Sequence, residues 1–150
     1  MTEPIWICKK MEDLTVEELY RILRLRSEVF VVEQNCVYLD ADGKDADSHH
    51  FCGWLNGELV AYCRILPQGL SYPQASIGRV LTNPAYRKQG FGKIMMEKAI
   101  VITYDMHQVS QIKIGAQEYL HRFYGELGFR SLGDSYTEDG IPHISMIHHK

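Results

Sequence analysis

The sequence predicts one α/β domain of the mixed α+β kind, in which a central mixed, mostly antiparallel sheet is flanked by helices on both faces. Three observations predict it. The length of 150 residues suits a single domain over residues 1–150. Strand-like and helix-like apolar patterns follow in the order β, α, β, β, β, α, β, α, β, β. The dipeptide Asn56-Gly57 between two apolar runs is typical of a tight hairpin, whose strands are antiparallel.

The N-terminal part of the chain combines a strand, a helix and a polar loop. Residues 5–8 are a short apolar run that predicts the first strand. Thr15 and Glu18 have the T-x-x-E spacing of a capping box, which marks a helix start. The loop at 35–48 follows the helix and carries four aspartates. The helix is predicted from apolar residues at helical spacing: Leu19, Ile22, Leu23, Val29 and Phe30.

The middle of the chain predicts a hairpin, a further strand and a long helix. The hairpin strands cover 50–55 and 58–66, and the next strand covers 75–81. A Gly-rich loop then leads into a helix whose apolar residues fall on one face: Phe91, Met95, Ala99, Ile102 and Met106.

The C-terminal part predicts a strand, a short helix and two more strands. The strand covers 111–116. The helix covers 119–127 and is closed by Gly128, a usual residue just past a helix end. Two strand-like runs separated by Asp139-Gly140 follow it.

The composition excludes several classes of function. A net charge of -3 disfavours nucleic acid as a partner, because nucleic-acid-binding domains usually have a basic face. No apolar run approaches the roughly 18 residues that span a bilayer, and the N-terminus lacks the order of a secretory signal. The four cysteines form no C-x-x-C pair, which favours reduced thiols. We therefore expect a cytoplasmic protein without nucleic-acid or membrane partners.

The acidic and histidine residues around 45–50 do not predict a metal site. His49 and His50 are adjacent on a predicted strand, where neighbouring side chains point to opposite faces. The aspartate loop lacks the spacing of a calcium-binding loop. We expect no bound metal.

The most informative segment is the strand, Pro-bearing turn and Gly-rich loop at 77–92. Gly90 and Gly92 allow a tight bend and the close approach of a ligand. The first N–H groups of the following helix have no internal partner and favour a phosphate or pyrophosphate. Arg87 and Lys88 add positive charge. A dinucleotide-binding fingerprint would need a third glycine, which this loop lacks. A P-loop would need a glycine earlier in the loop and a Ser or Thr directly after the lysine, and both are missing. The remaining motif of this kind is R-x-x-G-x-G.

Two segments together resemble the Gcn5-related N-acetyltransferase (GNAT) superfamily. The R-x-x-G-x-G motif at 87–92 resembles its acetyl-CoA-binding motif, and R-F-Y-G-E-L-G-F at 122–129 resembles its second signature. More narrowly, the segments 29–34, 115–117 and 138–143 resemble the ElaA-like branch. The ordered set spans nearly the whole chain and is more specific than any one segment.

The resemblance implies acetyl-CoA as the co-substrate and assigns residues to it. The backbone of Val80, Leu81 and Thr82 would pair with the pantetheine amides as an added strand would, and a backbone N–H at Val80 or Leu81 would stabilise the oxyanion. Gln117 stands where many relatives carry an asparagine that hydrogen-bonds the cofactor. The pyrophosphate would be held by the Gly-rich loop and the start of the helix: Arg87, Lys88, Gln89, Gly90, Phe91, Gly92 and Lys93.

The resemblance also implies that Tyr124 acts as general acid toward the departing thiolate. A phenol with an ordinary pKa near ~10 is protonated at neutral pH and can donate. The strand before the Gly-rich loop lacks the glutamate that many relatives use as a base. Three substitutes are open: Glu33, whose burial would raise its pKa, and His50 and His143, whose residue type titrates near neutrality.

These features predict an acetyl-CoA-dependent N-acetyltransferase that acts on an amine of a small molecule or a peptide. Net acidity and the Asp-rich loop favour a cationic acceptor. Two alternatives are open. The missing strand glutamate favours a non-catalytic acyl-CoA-binding sensor, and a loose similarity to the homoserine-lactone synthases favours acyl transfer to a non-amine acceptor. We expect a monomer or a homodimer.

Overall fold

The computed structural model describes residues 3–150 and contains two antiparallel sheets. The first sheet has the order β1-β2-β3-β4, and its strands are β1 (Ile5–Lys10), β2 (His49–Leu55), β3 (Glu58–Leu66) and β4 (Ser76–Thr82). The second has the order β5-β7-β6, and its strands are β5 (Gln111–Gln117), β6 (Arg130–Glu138) and β7 (Ile141–His149).

The two sheets meet at a parallel bridge between Ala75 and Ile112. There the N–H of Lys113 donates to the carbonyl of Ala75 at 2.9 Å. The mixed, mostly antiparallel fold class predicted from the sequence is confirmed. The central sheet is divided into two parts, which diverge beyond this bridge.

The helices are α1 (Val16–Arg26), α2 (Phe91–His107) and α3 (His121–Glu126). α1 begins with the predicted capping box, because Thr15 and Glu18 each bond the other's backbone N–H. It continues as a π-helical segment, Ser27–Glu33. The predicted helix at 119–127 is divided into a 3₁₀ turn, Glu118–Leu120, and α3. Within residues 3–150, no helix combines the length and the apolar character needed to cross a membrane.

Helices cover both faces of the first sheet, as predicted. On one face α1 and the π-helical segment pack through Ile22 and Phe30 in a cluster that includes Tyr62 of β3. On the other face α2 packs through Met95 in a larger cluster that includes Cys63. Tyr62 and Cys63 are neighbours on one strand, so their side chains point to opposite faces.

The β2–β3 hairpin has the predicted turn. Asn56 and Gly57 have φ angles of +51° and +80°, the left-handed values that a type I′ turn requires at both central positions. The turn fixes the antiparallel pairing of β2 with β3.

Candidate active site

β4 departs from regular pairing at a β-bulge. The register with β3 shifts between Tyr62 and Arg64, so that Arg79 and Val80 of β4 together face one residue of β3. Arg79 has a φ of +51°, which non-glycine residues rarely adopt. A bulge bends its strand and increases the local twist. β4 therefore lies beside β5 near the bridge and separates from β5 further along the strand.

A cleft of about 890 Å³ opens between the diverging strands. Its walls come from β4, β5, the start of α2, α3, the π-helical segment and the β6–β7 hairpin. The cleft is lined by these residues of the sequence prediction: Glu33, Val80, Leu81, Thr82, Arg87, Gly92, Gln117, Tyr124 and His143.

An anion cradle borders the cleft where the Gly-rich loop enters α2. Lys88 and Gly90 have φ angles of +68° and +80°, which turn the chain sharply before the helix. Gly90 is the N-cap and supplies no capping side chain. The first helical N–H groups are therefore available to an anion, and the helix dipole favours one there. Gln89 and Lys93 are exposed, whereas the side chain of Phe91 is in the core, so Phe91 offers its backbone alone.

Gly92 lies where three elements come close together. A Cβ atom at this position would lie 3.2 Å from Oγ1 of Thr82 and 4.0 Å from Cζ of Phe123. The absence of a side chain therefore lets the end of β4, the start of α2 and α3 approach one another at the edge of the cleft.

Glu33 and Arg87 form a bidentate ion pair with two contacts of 2.6 Å. The Arg87 guanidinium lowers the pKa of Glu33, whose side chain is 42% exposed. This corrects the expectation that burial raises the pKa of Glu33. The carboxylate is a weaker base than the sequence suggested, and it neutralises the positive charge of Arg87 in the R-x-x-G-x-G motif.

Tyr124 lies in α3 with 6% of its surface exposed. Its ring packs edge-to-face against Phe123 and Phe129, with centroids 5.1 and 5.9 Å away. Burial raises the pKa of Tyr124, so the phenol keeps its proton at neutral pH. The side chain nevertheless lines the cleft, where a proton donor is of use.

His143 also lines the cleft and is fixed in one tautomer. Its Nδ1–H donates to the carbonyl of Ile141 at 2.8 Å, since a carbonyl oxygen only accepts. Nε2 of the neutral ring therefore carries the lone pair, and it lies 3.9 Å from Oε2 of Glu138. His143 has the geometry of a group that can accept a proton from a ligand in the cleft.

His50, by contrast, lies in the interior and is not part of the cleft lining. Nε2–H donates to the carbonyl of Asp45 at 2.9 Å, and Nδ1 accepts from the hydroxyl of Tyr62 at 2.6 Å. Burial lowers the pKa of His50. The sequence suggested it as a base, but both ring nitrogens are engaged, so this position does not favour that role.

Gln117 ends β5 and reaches the cleft. Its Nε2 donates to Oε1 of Gln34 at 3.2 Å, which links β5 to the residue after the π-helical segment. The amide therefore has one protein partner and keeps further hydrogen-bonding capacity for a ligand.

Three arginines bind the Asp-rich loop in a largely buried ionic network. Arg26 of α1 is fully buried and contacts Asp40 at 2.8 Å and Asp45 at 2.7 Å. Arg64 of β3 contacts Asp45 at 3.0 Å and forms two bonds of 2.8 Å to Asp42. The network ties the loop to α1 and to the first sheet.

Arg79 joins the same network from the bulge. Its guanidinium lies 2.8 Å from Asp40 and 3.2 Å from Asp42, and it stacks over the ring of Tyr38 at 5.4 Å. These contacts hold the left-handed residue of β4 in place. They also neutralise most of the negative charge of the Asp-rich loop. The expectation that this loop favours a cationic acceptor is therefore not supported. The signal in the sequence for this network is the presence of arginines within the apolar patterns of the predicted helix and strands, together with an Asp-rich loop.

Comparison with known proteins identifies the family. A family model described as the acetyltransferase (GNAT) domain matches residues 12–149. The chain belongs to the GNAT acetyltransferase family. Protein ElaA of Escherichia coli K12 is 43% identical to this GNAT chain over 136 residues, which are 89% of each protein. The predicted family and its ElaA-like branch are confirmed.

Solved structures agree with this GNAT assignment. The crystal structure of Escherichia coli ElaA matches with a TM-score of 0.91 at 40% identity, covering 97% of this chain and 99% of that one. An acyl-CoA N-acyltransferase from Pseudomonas aeruginosa matches with a TM-score of 0.90 at 42% identity, covering 96% and 99%. Membership of the GNAT family places the chain among the acyltransferases.

Proposed function

We propose that this GNAT protein is an acetyl-CoA-dependent N-acetyltransferase that transfers an acetyl group to an amine of a small molecule or a peptide. The observation that supports it most is the convergence on one cleft of an anion cradle, an open strand edge and a buried, neutral tyrosine. Each of these features meets one requirement of the reaction. The cradle would bind the phosphates, the strand edge would bind the pantetheine chain, and the tyrosine would donate a proton.

Backbone groups would hold most of the acetyl-CoA. The peptide groups of Val80, Leu81 and Thr82 pair with the pantetheine amides at the edge that the bulge opens. The N–H groups of 88–93 receive the pyrophosphate, and Lys88 adds positive charge, because Glu33 already neutralises Arg87. Gln117 hydrogen-bonds the cofactor through the capacity that Gln34 leaves unused.

The transfer proceeds by direct attack of the amine on the thioester. The amine nitrogen forms a bond to the acetyl carbonyl carbon, and the C–S bond breaks when the tetrahedral intermediate collapses. The N–H of Val80 or Leu81 stabilises the oxyanion. Tyr124 gives its phenolic proton to the departing thiolate and regains one from solvent.

We assign the base to His143. Its lone pair on Nε2 is directed by the Nδ1–H bond to Ile141, and the side chain lines the cleft. Glu33 is ion-paired and its pKa is lowered, while both ring nitrogens of His50 are engaged. His143 removes the amine proton directly or through one water.

The cysteines fit a reducing compartment. Cys8, Cys36, Cys52 and Cys63 are all free thiols. Because disulfides are rare in the cytoplasm, this supports the proposal of a cytoplasmic enzyme.

A thiol-release screen tests the proposal. The protein is incubated with acetyl-CoA and with polyamines, amino acids, aminoglycosides or peptides, and free CoA is measured. We expect release that depends on at least one amine. Binding of acetyl-CoA without release for any amine would support the sensor instead, and release that depends on S-adenosylmethionine alone would support a non-amine acceptor.

A further inference from the structure

One face of the β6–β7 hairpin brings an imidazole and a carboxylate to the cleft. Tyr136 pairs with His143, and Glu138 pairs with Ile141, so the four side chains share a face. His143 is only 7% exposed, yet its Nε2 keeps a free lone pair. Nε2 lies 3.9 Å from Oε2 of Glu138, a separation at which one N–H donor of a ligand can reach both atoms.

Two phenol hydroxyls converge beside this pair, over Gly115 of β5. A Cβ atom on residue 115 would lie 2.7 Å from Oη of Tyr136 and 3.1 Å from Oη of Tyr72. Burial raises the pKa of each tyrosine, so both are neutral at neutral pH. Lys113 covers one face of the Tyr72 ring at 4.9 Å, so Tyr72 offers its hydroxyl rather than that face.

The charges of the cleft are mostly neutralised by protein partners. Arg87 is paired with Glu33, and Asp42 is bound by two arginines. Among the cleft residues in the described part of the chain, Glu138 and Asp139 are carboxylates without an Arg or Lys within 4.0 Å.

Other contacts fix the surroundings of these two carboxylates. Lys44, a cation of the lining, donates to the hydroxyl of Ser71 at 2.8 Å. The thiol of Cys36 donates to the backbone carbonyl of Asp139 at 3.1 Å, which holds the hairpin tip at the cleft. The two carboxylates of Glu138 and Asp139 outnumber the single ammonium group of Lys44, so this end of the cleft has a net negative charge.

We propose that this end of the cleft binds a diamine or polyamine acceptor, with one ammonium group at Glu138 and a second at Asp139. An ammonium group has three N–H donors and no acceptor. The carboxylate of Glu138, Nε2 of His143 and the hydroxyl oxygen of Tyr72 provide matching acceptors in the cleft lining. The inference rests on the proposed function, because it names the acceptor class of the same site.

Titration with amines tests it without turnover. CoA is held in excess, and putrescine, n-butylamine or 1-pentanol is followed by NMR. We expect putrescine to bind more tightly than n-butylamine, and 1-pentanol not to bind. Glu138→Gln weakens both amines about tenfold, the size expected for a charge-assisted hydrogen bond. Asp139→Asn weakens putrescine about threefold, the size expected for an ion pair at an exposed residue, and leaves n-butylamine unchanged.

Glu126 provides a matched control. Its side chain is 59% exposed, as is that of Glu138, and it lies outside the cleft lining. Glu126→Gln leaves both affinities unchanged. Equal putrescine affinity in the wild type and Glu138→Gln, no saturable binding of either amine, or equal binding of 1-pentanol would overturn the proposal. Failure of the proposed function is seen separately, as a loss of acetyl-CoA binding or of amine-dependent thiol release.

Discussion

Tyr124 combines burial with access to the cleft, and this combination suits a proton donor. Because its pKa is raised, the phenol keeps its proton at neutral pH and is available to donate it as the thiolate departs. We predict that Tyr124→Phe lowers kcat by about 100-fold, the lower end for loss of a general acid, and leaves the KM for acetyl-CoA unchanged. Steady-state kinetics with a responsive amine measure both parameters.

Tyr104 is the matched control for this variant. It is also 6% exposed, and its hydroxyl contacts His148 outside the cleft lining. Tyr104→Phe removes a buried hydroxyl without touching the site, so kcat stays at the wild-type value. An unchanged kcat in Tyr124→Phe would contradict the general-acid assignment.

His143 and His50 differ in their surroundings and should respond differently to substitution. We predict that His143→Gln lowers kcat by about 100-fold, because the base is lost. His50→Gln retains kcat but lowers the free energy of unfolding by about 1–3 kcal/mol, because the partners of both ring nitrogens lose well-placed bonds in the interior. Kinetics and urea denaturation separate the two effects. A loss of kcat in His50→Gln with normal activity in His143→Gln would reverse the assignment.

At the scale of elements, the start of α2 depends on a left-handed residue at Gly90. We predict that Gly90→Ala lowers the affinity for CoA about tenfold, because the strained loop moves its N–H groups off the phosphates. It also lowers the free energy of unfolding by about 1 kcal/mol. Calorimetric titration with CoA and urea denaturation measure the two quantities.

Gly57 is the control for the backbone effect. It has the same φ of +80°, and like Gly90 it has no atom within 4 Å of an added Cβ, but it lies in the β2–β3 turn. Gly57→Ala therefore has a similar cost in stability and normal CoA affinity. Equal CoA affinity in the two variants would exclude the cradle as the phosphate site.

The sequence predicts the elements whose causes are local. Thr15 and Glu18 form the capping box within one helical turn, and Asn56-Gly57 sets its own turn. The bulge at Arg79 was not predicted, because its left-handed backbone is held by aspartates in a loop distant along the chain. Short-range patterns do not specify which arginine contacts which aspartate.

The candidate site follows the same division between local and distant causes. The Gly-rich loop was recognisable because its glycines, basic residues and helix start are contiguous. Spacing could not decide between His50 and His143, because the sheet buries one and directs the other to the cleft. The convergence of Tyr72 and Tyr136 over Gly115 likewise depends on strand pairing and loop position.

At the scale of the whole molecule, the ionic network ties the Asp-rich loop to α1 and the first sheet. Burial alone would raise the pKa values of Asp42 and Asp45, but hydrogen bonds from Arg64 and Arg26 respectively, with the nearby positive charges, lower both. The lowered pKa values stabilise the fold above the unfolded-state value of about 3.9, and this stabilisation is lost as the pH falls below it. We predict that the free energy of unfolding decreases between about pH 5 and pH 3, as measured by urea denaturation.

Two variants of the loop test this origin. Asp42→Asn removes one carboxylate of lowered pKa, so its unfolding free energy falls less over the same pH range. Asp47 is exposed in the same loop, and Asp47→Asn follows the wild-type curve. If the unfolding free energy of Asp42→Asn had the same pH dependence as that of the wild type, the loss of stability in acid would not originate at Asp42.

The central claim, that the cleft transfers an acetyl group from CoA to an amine, is tested most directly by the stoichiometry of the reaction. Acetylated amine, quantified by mass spectrometry, is compared with the CoA released in the same mixture. We predict equal amounts of the two products, and a rate that falls about 100-fold in Tyr124→Phe. CoA release without acetylated amine, or no release with any amine, would contradict it.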